Sequence, residues 1–377
     1  MASGRTSSLQ VTALCALAGA LVVIAVLPVT LLASRQAGPP RTGKQVYEAA
    51  CVQCHGANGT GADRSAVGFD LPLPDLSDCN FTREPDADWY AIVHDGGPVR
   101  AFNRLMPSFG EALSHDEITA VITYVRRFCG SLAWPRGELN FPRAIVTEKA
   151  FPEDEFLFIT GVATGNPGEV GYKAIYEKRI GTRSQVEVII PFATLEADAG
   201  GWSTNIGDVA FGAKHAFFHN RGSGTILSGA VEVALPTGNE DRGFGSGHTT
   251  VEGFLAFGQA LPADGFIQAQ AGIGVPTNGA TKEAFWRLVL GKTFTQRDFG
   301  RAWSPMVELV ATRNLADGEA SIWDIVPQFQ VTLSKRQHIM AAFGARVPLN
   351  ERESRHTQVV AYLLWDWFDG GLFSAWK

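Results

Sequence analysis

The chain has 377 residues, of which 45% are hydrophobic and 19% charged, and its formal net charge is −6. A charge of this size is modest and says little about partners. The sequence shows no basic patch typical of nucleic-acid binding, no phosphate-binding glycine loop and no Ser/His/Asp order typical of hydrolases. The informative signals are therefore the cysteines, the apolar leader and the strand pattern.

The N-terminal segment has the pattern of an export signal. Arg5 precedes an apolar run from Leu9 to Ala33, and a polar stretch with two prolines follows. The apolar run is longer than usual and its A-x-A pattern is poor, so an uncleaved inner-membrane anchor is the alternative. We assign residues 1–37 to a signal peptide and leave the anchor open.

Cys51-Val52-Gln53-Cys54-His55 is a complete c-type haem attachment motif. Two thiols at this spacing can add to the two vinyl groups of one haem, and the adjacent imidazole can bind the iron. A redox dithiol or half of a zinc site is the alternative, but a dithiol does not need the histidine and no second CxxC follows. The motif predicts one covalently bound haem c.

Met106 is the predicted sixth ligand of the iron, opposite His55. It stands in Arg104-Leu105-Met106-Pro107-Ser108-Phe109, just before a helical pattern, and a thioether there is a natural axial ligand. His94, in a glycine-rich loop, is the alternative axial ligand. His115 starts a helix and is expected on the surface.

Two helical patterns flank these ligands. A short run from Gly43 to Ala50 precedes the first cysteine, with Gly43 placed to let another helix approach. Ser114 and Glu117 form a capping box before an apolar helical pattern that ends near Phe128. Residues 41–130 therefore resemble a class I cytochrome c domain. The resemblance implies that Cys51 and Cys54 hold the haem while His55 and Met106 ligate its iron.

Cys79 and Cys129 remain once the leader and haem cysteines are set aside. A disulfide between them would tie the loop after the haem motif to the end of the last helix, as suits an oxidising compartment. Two inert thiols are the alternative.

The residues after 155 alternate between apolar and polar over about twelve segments. In one of them Ile267, Ala269 and Ala271 share a face, and Gln268 and Gln270 share the other. The predicted strands lie near 156–164, 172–180, 185–192, 209–217, 225–235, 250–261, 266–275, 285–294, 306–314, 322–333, 338–347 and 358–368.

Tight connectors roughly alternate with long ones, which is the arrangement of an outer-membrane barrel. An even strand number would return the chain to the side of the haem domain, the periplasm. A soluble β-sandwich is the alternative. The barrel is favoured by aromatic residues near strand ends, as in an interfacial girdle: Trp202, Phe217, Phe218, Phe294, Trp303, Trp365, Trp367, Phe368 and Trp376. A barrel in turn favours cleavage of the leader.

Three short motifs in this region carry a second resemblance. Gly207 to Lys214, Glu232 to Gly238 and Trp365 to Gly371 are similar to barrels of the phenol-degradation transporter family. That family implies passage of aromatic or other small apolar compounds across the outer membrane. The chain ends at Lys377 rather than at the aromatic residue usual in barrels, and Trp376 is the expected substitute.

The polar face of the strands predicts a lumen of mixed charge. A salt-bridged filling of a narrow barrel is the favoured interpretation, and a water-filled pore is the alternative. The predicted lumen residues are Lys173, Glu177, Arg179, Glu187, Lys214, Glu232, Arg287, Glu308, Asp324, Arg346 and Asp366.

The predicted fold is multidomain, with a small all-α class I cytochrome c domain before an antiparallel up-and-down transmembrane β-barrel of about 12 strands. We place the cytochrome at 41–130, a proline-containing linker at 131–155 and the barrel at 156–377. The domain order resembles porin–cytochrome fusions credited with oxidising extracellular ferrous iron.

The predicted function is electron transfer at the outer membrane, with the cytochrome in the periplasm. The expected partners are outer-membrane lipids and a periplasmic redox protein or an extracellular electron donor or acceptor. We expect a carrier rather than a catalyst and leave iron oxidation open. The alternative is a channel for small molecules, aromatic ones included, with the cytochrome as its redox-linked plug or partner. A sealed lumen would argue against the channel.

Overall fold

The computed structural model describes residues 39–165, 167–196 and 200–366. The predicted signal peptide lies outside the described residues, as do Trp367, Phe368 and Trp376. No helix in the described part of the chain is long and apolar enough to cross a bilayer.

The N-terminal domain is helical and small. Its helices are α1 (Gly43–Ala50), α2 (Val52–His55), α3 (Arg64–Val67), α4 (Asp86–Asp95) and α5 (His115–Val125), with 3₁₀ turns at Cys79–Arg83 and Gly97–Arg100. Thr42 with Gln45 caps α1, and Ser114 with Glu117 caps α5, each as a reciprocal capping box. The predicted start of the last helix is confirmed.

Helices α1 and α5 cross at Gly43. A Cβ at this position would overlap the carbonyl oxygen of Ala120 and lie 2.9 Å from the Cβ of Tyr124, so the close approach requires glycine. Beyond the crossing, the ring of Tyr47 packs against those of Tyr124 and Phe128, at centroid distances of 5.5 and 5.2 Å. This contact fixes the end of α1 that leads into the haem motif.

Fourteen antiparallel strands form a single sheet within the described residues. They are β1 (Glu155–Ala163), β2 (Glu169–Ile180), β3 (Ser184–Glu196), β4 (Trp202–Ile206), β5 (Ala210–Asn220), β6 (Thr225–Ala234), β7 (Thr250–Leu261), β8 (Gly265–Pro276), β9 (Glu283–Lys292), β10 (Phe294–Thr295), β11 (Ala302–Asn314), β12 (Ile322–Thr332), β13 (Ile339–Pro348) and β14 (Gln358–Asp366).

The sheet closes into a barrel of twelve wall positions. β1 pairs with both β2 and β14, and β11 pairs with both β9 and β12, so the ladder has no open edge. The short strands share a wall position with a neighbour: β3 pairs with β4 and then β5, while β9 and β10 both pair with β11. The predicted closed barrel of about twelve strands is confirmed. The breaks that split off β4 and β10 were not predicted.

The alternation of the strands separates the two surfaces of the barrel. Outward-facing Leu255, Leu288 and Leu290 are 55%, 50% and 58% exposed, as expected for side chains in contact with lipid. The six girdle residues that the structure describes are also exposed: Trp202, Phe217, Phe218, Phe294, Trp303 and Trp365. Most of the inward-facing residues predicted from charge are buried, namely Glu177, Arg179, Glu187, Lys214, Glu308 and Asp324.

The two ends of the barrel differ. We call the end with the tight turns at 181–183, 221–224, 262–264 and 333–338 the turn end, and the opposite end, with 235–249 and 349–357, the loop end. β1 begins and β14 ends at the turn end, where Glu155 is paired with Asp366. The helical domain docks against this same end.

The segment predicted as a plain linker enters the barrel. Residues 139–154, here called the plug segment, run into the lumen from the turn end, bend at 145–147 and return to begin β1. Its odd-numbered residues from Leu139 to Glu153 are all buried. The linker interpretation therefore needs correction, because this part of the chain is interior and contributes to both apolar clusters of the lumen.

Candidate haem site and the barrel lumen

The haem motif forms one helical turn. Cys51 ends α1 and begins α2, and its carbonyl oxygen accepts hydrogen bonds from the amides of Cys54 (3.2 Å) and His55 (2.9 Å). Residues three apart in a helix lie on the same face, so the two thiols point to one side with the imidazole next to them. Both cysteines are free and half-buried.

The chemistry of these side chains fits a haem better than a redox dithiol. The Nδ1 atom of His55 is buried without a hydrogen-bond partner, and burial lowers the pKa of His55, which keeps the imidazole neutral as an iron ligand must be. Burial also raises the pKa of the Cys51 thiol to about 11. A redox-active dithiol requires the opposite shift.

Aromatic side chains and a close glycine contact support the turn. The Tyr47 hydroxyl donates to the carbonyl oxygen of Gly56 at 2.6 Å, directly after His55. A Cβ on Gly59 would lie 2.5 Å from the ring of Phe128, so the loop packs directly against the aromatic cluster at the end of the domain. Local contacts therefore fix both ends of the motif.

Met106 lies half-buried on the loop between α4 and α5. Backbone hydrogen bonds hold this loop to the end of α4: the Gly97 amide donates to Met106 O (3.0 Å) and the Phe109 amide to Val93 O (3.0 Å). Gly96 has φ +82°, and a Cβ there would lie 2.9 Å from Met106 O. The glycines thus allow the loop to pack closely, while iron ligation by Met106 stays a prediction.

The two other histidines of the helical domain have different partners. His94 Nδ1 lies 2.7 Å from Asp95 Oδ1, and its ring contacts Tyr90 and the barrel residue Phe299 at centroid distances of 5.7 and 5.3 Å. His115 Nδ1 lies 3.0 Å from the Tyr90 hydroxyl. Both belong to an aromatic contact between the domains, which does not favour His94 as an axial ligand.

Cys79 and Cys129 form a disulfide, with their Cα atoms 5.0 Å apart. The bond joins the 3₁₀ turn at Cys79–Arg83 to the segment after α5. The structure thus has the pairing proposed from the cysteine count.

Arginines form the interface between the helical domain and the turn end. Arg100, 5% exposed, donates to Asp88 Oδ1 (2.8 Å) and, across the interface, to the carbonyl oxygen of Phe299 (2.6 Å). Arg183 donates to Ala133 O at 2.9 Å. The Arg336 guanidinium lies 4.4 Å from the ring centre of Phe102.

Asp86 is the most heavily paired carboxylate of this interface. It forms ion pairs with Arg126 (2.5 Å) and Arg136 (2.7 Å) of its own side and with Arg221 from the β5–β6 turn. Burial acts to raise the pKa of Asp86, but the three guanidiniums outweigh it and hold that pKa below its ordinary value. Docking therefore depends partly on charge, which salt screens.

Within the lumen, ion pairs join the plug segment to the wall. Arg143, fully inside the barrel, lies 3.0 Å from Glu155 and 2.6 Å from Glu177, and all three are less than 5% exposed. Lys149 pairs with Glu155 at 3.0 Å and also with Glu153. Such buried charges are stable only while every partner is present.

Hydrogen bonds from wall side chains satisfy the backbone of the plug segment, which has no strand partner of its own. Glu308 accepts from the amide of Thr147 (2.5 Å), and Gln328 accepts from that of Ile145 (2.9 Å). Carbonyl oxygens of the segment are also used, as acceptors for Gln268, Arg287, Lys214, Ser228 and Tyr362. The segment is thus bonded around the circumference of the barrel.

Toward the loop end the lumen is more exposed. Lys173 and Glu283 face inward there and are exposed, whereas Asp324 is held by Arg346 at 2.6 Å and by Arg355 at 2.5 Å. The predicted mixed-charge lumen is confirmed, but it has two parts: a filled half at the turn end and a polar vestibule at the loop end.

Sequence reasoning missed the plug segment and the apolar side chains that pack against it, such as Phe254, Phe266 and Phe285. One signal was available. Apolar Leu139, Phe141, Ile145 and Phe151 all stand at odd-numbered positions of the linker, as on one face of a strand, although no hairpin partner follows.

A helical c-type cytochrome domain joined to an outer-membrane β-barrel is the class that this fold and site define. The first part matches the family described as cytochrome c oxidase, cbb3-type, subunit III, over residues 38–125. The chain is thus a fusion of a helical cytochrome domain and a barrel. The family match implies that the helical domain binds haem.

The chain belongs to the family described as the putative MetA-pathway of phenol degradation, which matches residues 169–358. No curated protein matches the chain by sequence. Among solved structures, the COG4313 outer membrane channel from Pseudomonas putida F1 is 13% identical, with 58% of this chain and 97% of that chain covered and a TM-score of 0.41. The NanC porin is 7% identical, with 56% and 99% covered and a TM-score of 0.39.

Proposed function

We propose that this protein is an electron carrier fixed in the outer membrane by its barrel, with one haem attached covalently to Cys51 and Cys54. His55 and Met106 would hold the iron. Bound haem supplies one-electron chemistry, and Met/His ligation raises its reduction potential. Cys51, Cys54 and His55 present their reactive atoms on one helical turn, and the glycine-supported loop carries Met106 beside the end of α4.

The occupied lumen is the observation that carries this proposal against a simple channel. At the turn end, next to the haem domain, the plug segment is buried and bonded to wall residues on many strands, including Glu308, Gln328 and Tyr362. Solute passage would require this segment to move and its buried ion pairs to separate, which is costly. A carrier requires no such movement.

The orientation of the protein belongs to the same proposal. Outer-membrane barrels have short turns on the periplasmic side, and the helical domain docks at the short turns. Arg100, Arg183 and Arg221 make that contact. We therefore propose a periplasmic haem domain that exchanges electrons with a periplasmic redox protein.

A liposome experiment tests this function and distinguishes it from an electron conduit. Full-length haem-loaded protein is reconstituted with the haem domain inside sealed vesicles, and a membrane-impermeant ferrous chelate is added outside. We expect the haem absorbance to remain that of the oxidised form until detergent opens the vesicles. Reduction before detergent would overturn the anchored-carrier proposal and support conduction through the barrel.

A redox-gated channel is the second candidate, favoured by the family and by the exposed vestibule residues Lys173 and Glu283. The plug segment is continuous with the haem domain, so a shift of that domain could move it. Conductance in planar bilayers, recorded with oxidised and with reduced protein, tests this candidate. Equal and negligible conductance in both states would remove it.

A further inference from the structure

The plug segment carries an acidic residue that meets two acidic residues of the barrel wall. Glu148 lies beside the bend of the segment, Glu187 is on β3 and Glu232 is on β6. One carboxylate oxygen from each lies within 4.8 Å of the others. Three carboxylates this close inside a barrel repel one another strongly unless they take up protons or a cation lies between them.

The hydrogen bonding of these carboxylates is incomplete. Each has one buried oxygen without a hydrogen-bond partner: Oε2 of Glu148, Oε1 of Glu187 and Oε1 of Glu232. Glu187 is only 3% exposed, and its other oxygen accepts one long hydrogen bond, from Gln185 Nε2 at 3.4 Å. An unsatisfied buried polar atom in a folded protein calls for an explanation, and a bound ion is one.

Two nearby cationic side chains donate hydrogen bonds to other groups, and a third, Lys173, is exposed toward the loop end. Lys214 on β5 donates its Nζ to the carbonyl oxygen of Lys149 at 2.9 Å, and Arg287 on β9 donates to Val146 O (3.1 Å) and Gln270 Oε1 (2.8 Å). Glu252, opposite Glu232 in the β6–β7 ladder, adds one more acidic group. The cluster thus contrasts with Glu308, which accepts hydrogen bonds at both of its oxygens.

We propose that Glu148, Glu187 and Glu232 bind one divalent cation, Ca²⁺ in preference to Mg²⁺. Carboxylate oxygens are the ligands that hard cations take. Two oxygens bound to one Ca²⁺ at roughly 2.3–2.6 Å are at most about 5 Å apart, which agrees with the spacing here. The ion joins the plug segment to β3 and β6 and thereby fixes the segment in the lumen. This proposal does not depend on the haem.

Calorimetry on the full-length holoprotein in detergent tests the site. The protein is stripped with EDTA, dialysed and titrated with CaCl₂ and, separately, with MgCl₂. We expect one saturable Ca²⁺ per chain, and an affinity at least about tenfold lower in Glu187→Gln because a direct ligand is lost. Glu283→Gln removes an inward-facing carboxylate outside the cluster and should bind Ca²⁺ like the wild type.

Hydrogen exchange supplies a second readout that does not depend on the wall variant. Ca²⁺ should slow amide exchange over residues 144–150 in the wild type and not in Glu148→Gln, which changes only the plug segment. The wild-type titration decides the proposal even if Glu187→Gln does not fold. Absence of saturable Ca²⁺ binding, binding of Mg²⁺ alone, or unchanged Ca²⁺ affinity in a folded Glu187→Gln would each overturn it.

Discussion

The helical domain and the barrel differ in what surrounds their buried polar groups. Around the haem motif the packing is apolar and aromatic, and the Nδ1 atom of His55 is buried without a partner. In the turn-end half of the lumen, charged groups such as Arg143 and Glu177 are buried against one another. The buried imidazole of the haem motif lacks a partner that a ligand would supply, whereas Arg143 and Glu177 find their partners within the chain.

This difference shows which residues the chemistry of the helical domain and the stability of the barrel depend on. The helical domain depends on a few residues at fixed spacing, so loss of the cysteines should remove the chemistry without unfolding the barrel. The barrel depends on matched charges, so loss of one partner should cost stability. The following predictions test that division, in order of expected effect.

The largest effect is expected from replacing both haem cysteines. Cys51→Ala with Cys54→Ala should abolish covalent haem attachment, because no thiol remains to add to the vinyl groups. Haem staining of a denaturing gel measures this loss, and heat-dependent gel migration checks that the barrel still folds. The control, Cys79→Ala with Cys129→Ala, should keep its haem. If the Cys51/Cys54 variant kept its haem after denaturation, the prediction that these two cysteines attach the haem would be wrong.

Arg143→Ala should destabilise the barrel by about 3–5 kcal/mol, because Glu155 and Glu177 would stay buried without their shared guanidinium. Urea unfolding in detergent, followed by tryptophan fluorescence, measures the change. Arg346→Ala is the matched control and should cost less, since Asp324 keeps its pair with Arg355. Equal costs for the two variants would show that the lumen does not depend on exact charge matching.

Glycine substitutions compare the packing of the two regions. Gly43→Ala should cost about 1–3 kcal/mol, because the new methyl group meets the backbone of Ala120. Gly258→Ala should cost less, because the atoms nearest to its Cβ belong to the side chains of Phe141 (2.8 Å) and Ile226 (3.0 Å) and not to the backbone. Gly130→Ala, with nothing within 4 Å, should be neutral. Thermal unfolding ranks the three, and the reverse order would refute the tight helix crossing.

The smallest effect concerns an exposed ion pair of the helical domain. Two hydrogen bonds lower the pKa of Glu117 from 4.5 to about 2. The larger effect comes from the Arg41 side chain and the smaller from the Ser114 amide. Because the folded-state pKa is depressed, this carboxylate contributes stability above about pH 4.5, and the contribution is lost as the pH falls toward 2. Glu117→Gln should therefore melt slightly earlier than wild type at pH 7 and together with it at pH 2. A constant difference at both pH values would contradict this.

The barrel wall could be predicted from sequence because the alternation of polar and apolar residues within one strand shows which side chains face the lumen. Gln268 and Gln270 alternate with apolar neighbours, so one segment is enough to assign both faces. The capping box of Ser114 and Glu117 is equally local. Features that depend on one short sequence pattern can therefore be predicted without the structure.

The plug segment could not be predicted in the same way. Its partners Glu308 and Gln328 lie more than 150 residues further along the chain, and each contact joins a side chain to backbone rather than strand to strand. The cluster of Glu148, Glu187 and Glu232 likewise depends on how three distant elements meet. Spacing within one element carries no information about such contacts.

The plug segment stands directly before β1 and is therefore coupled to closure of the barrel. The barrel closes where β1 pairs with β14, and the hydroxyl of Tyr362 on β14 donates to the carbonyl oxygen of Arg143 at 2.6 Å. Both ends of the segment lie at the turn end, so the segment can enter the lumen through that mouth of the barrel without passing through the wall. The bond from Tyr362 forms only when β14 lies beside β1, so seating of the segment and closure of the barrel stabilise each other.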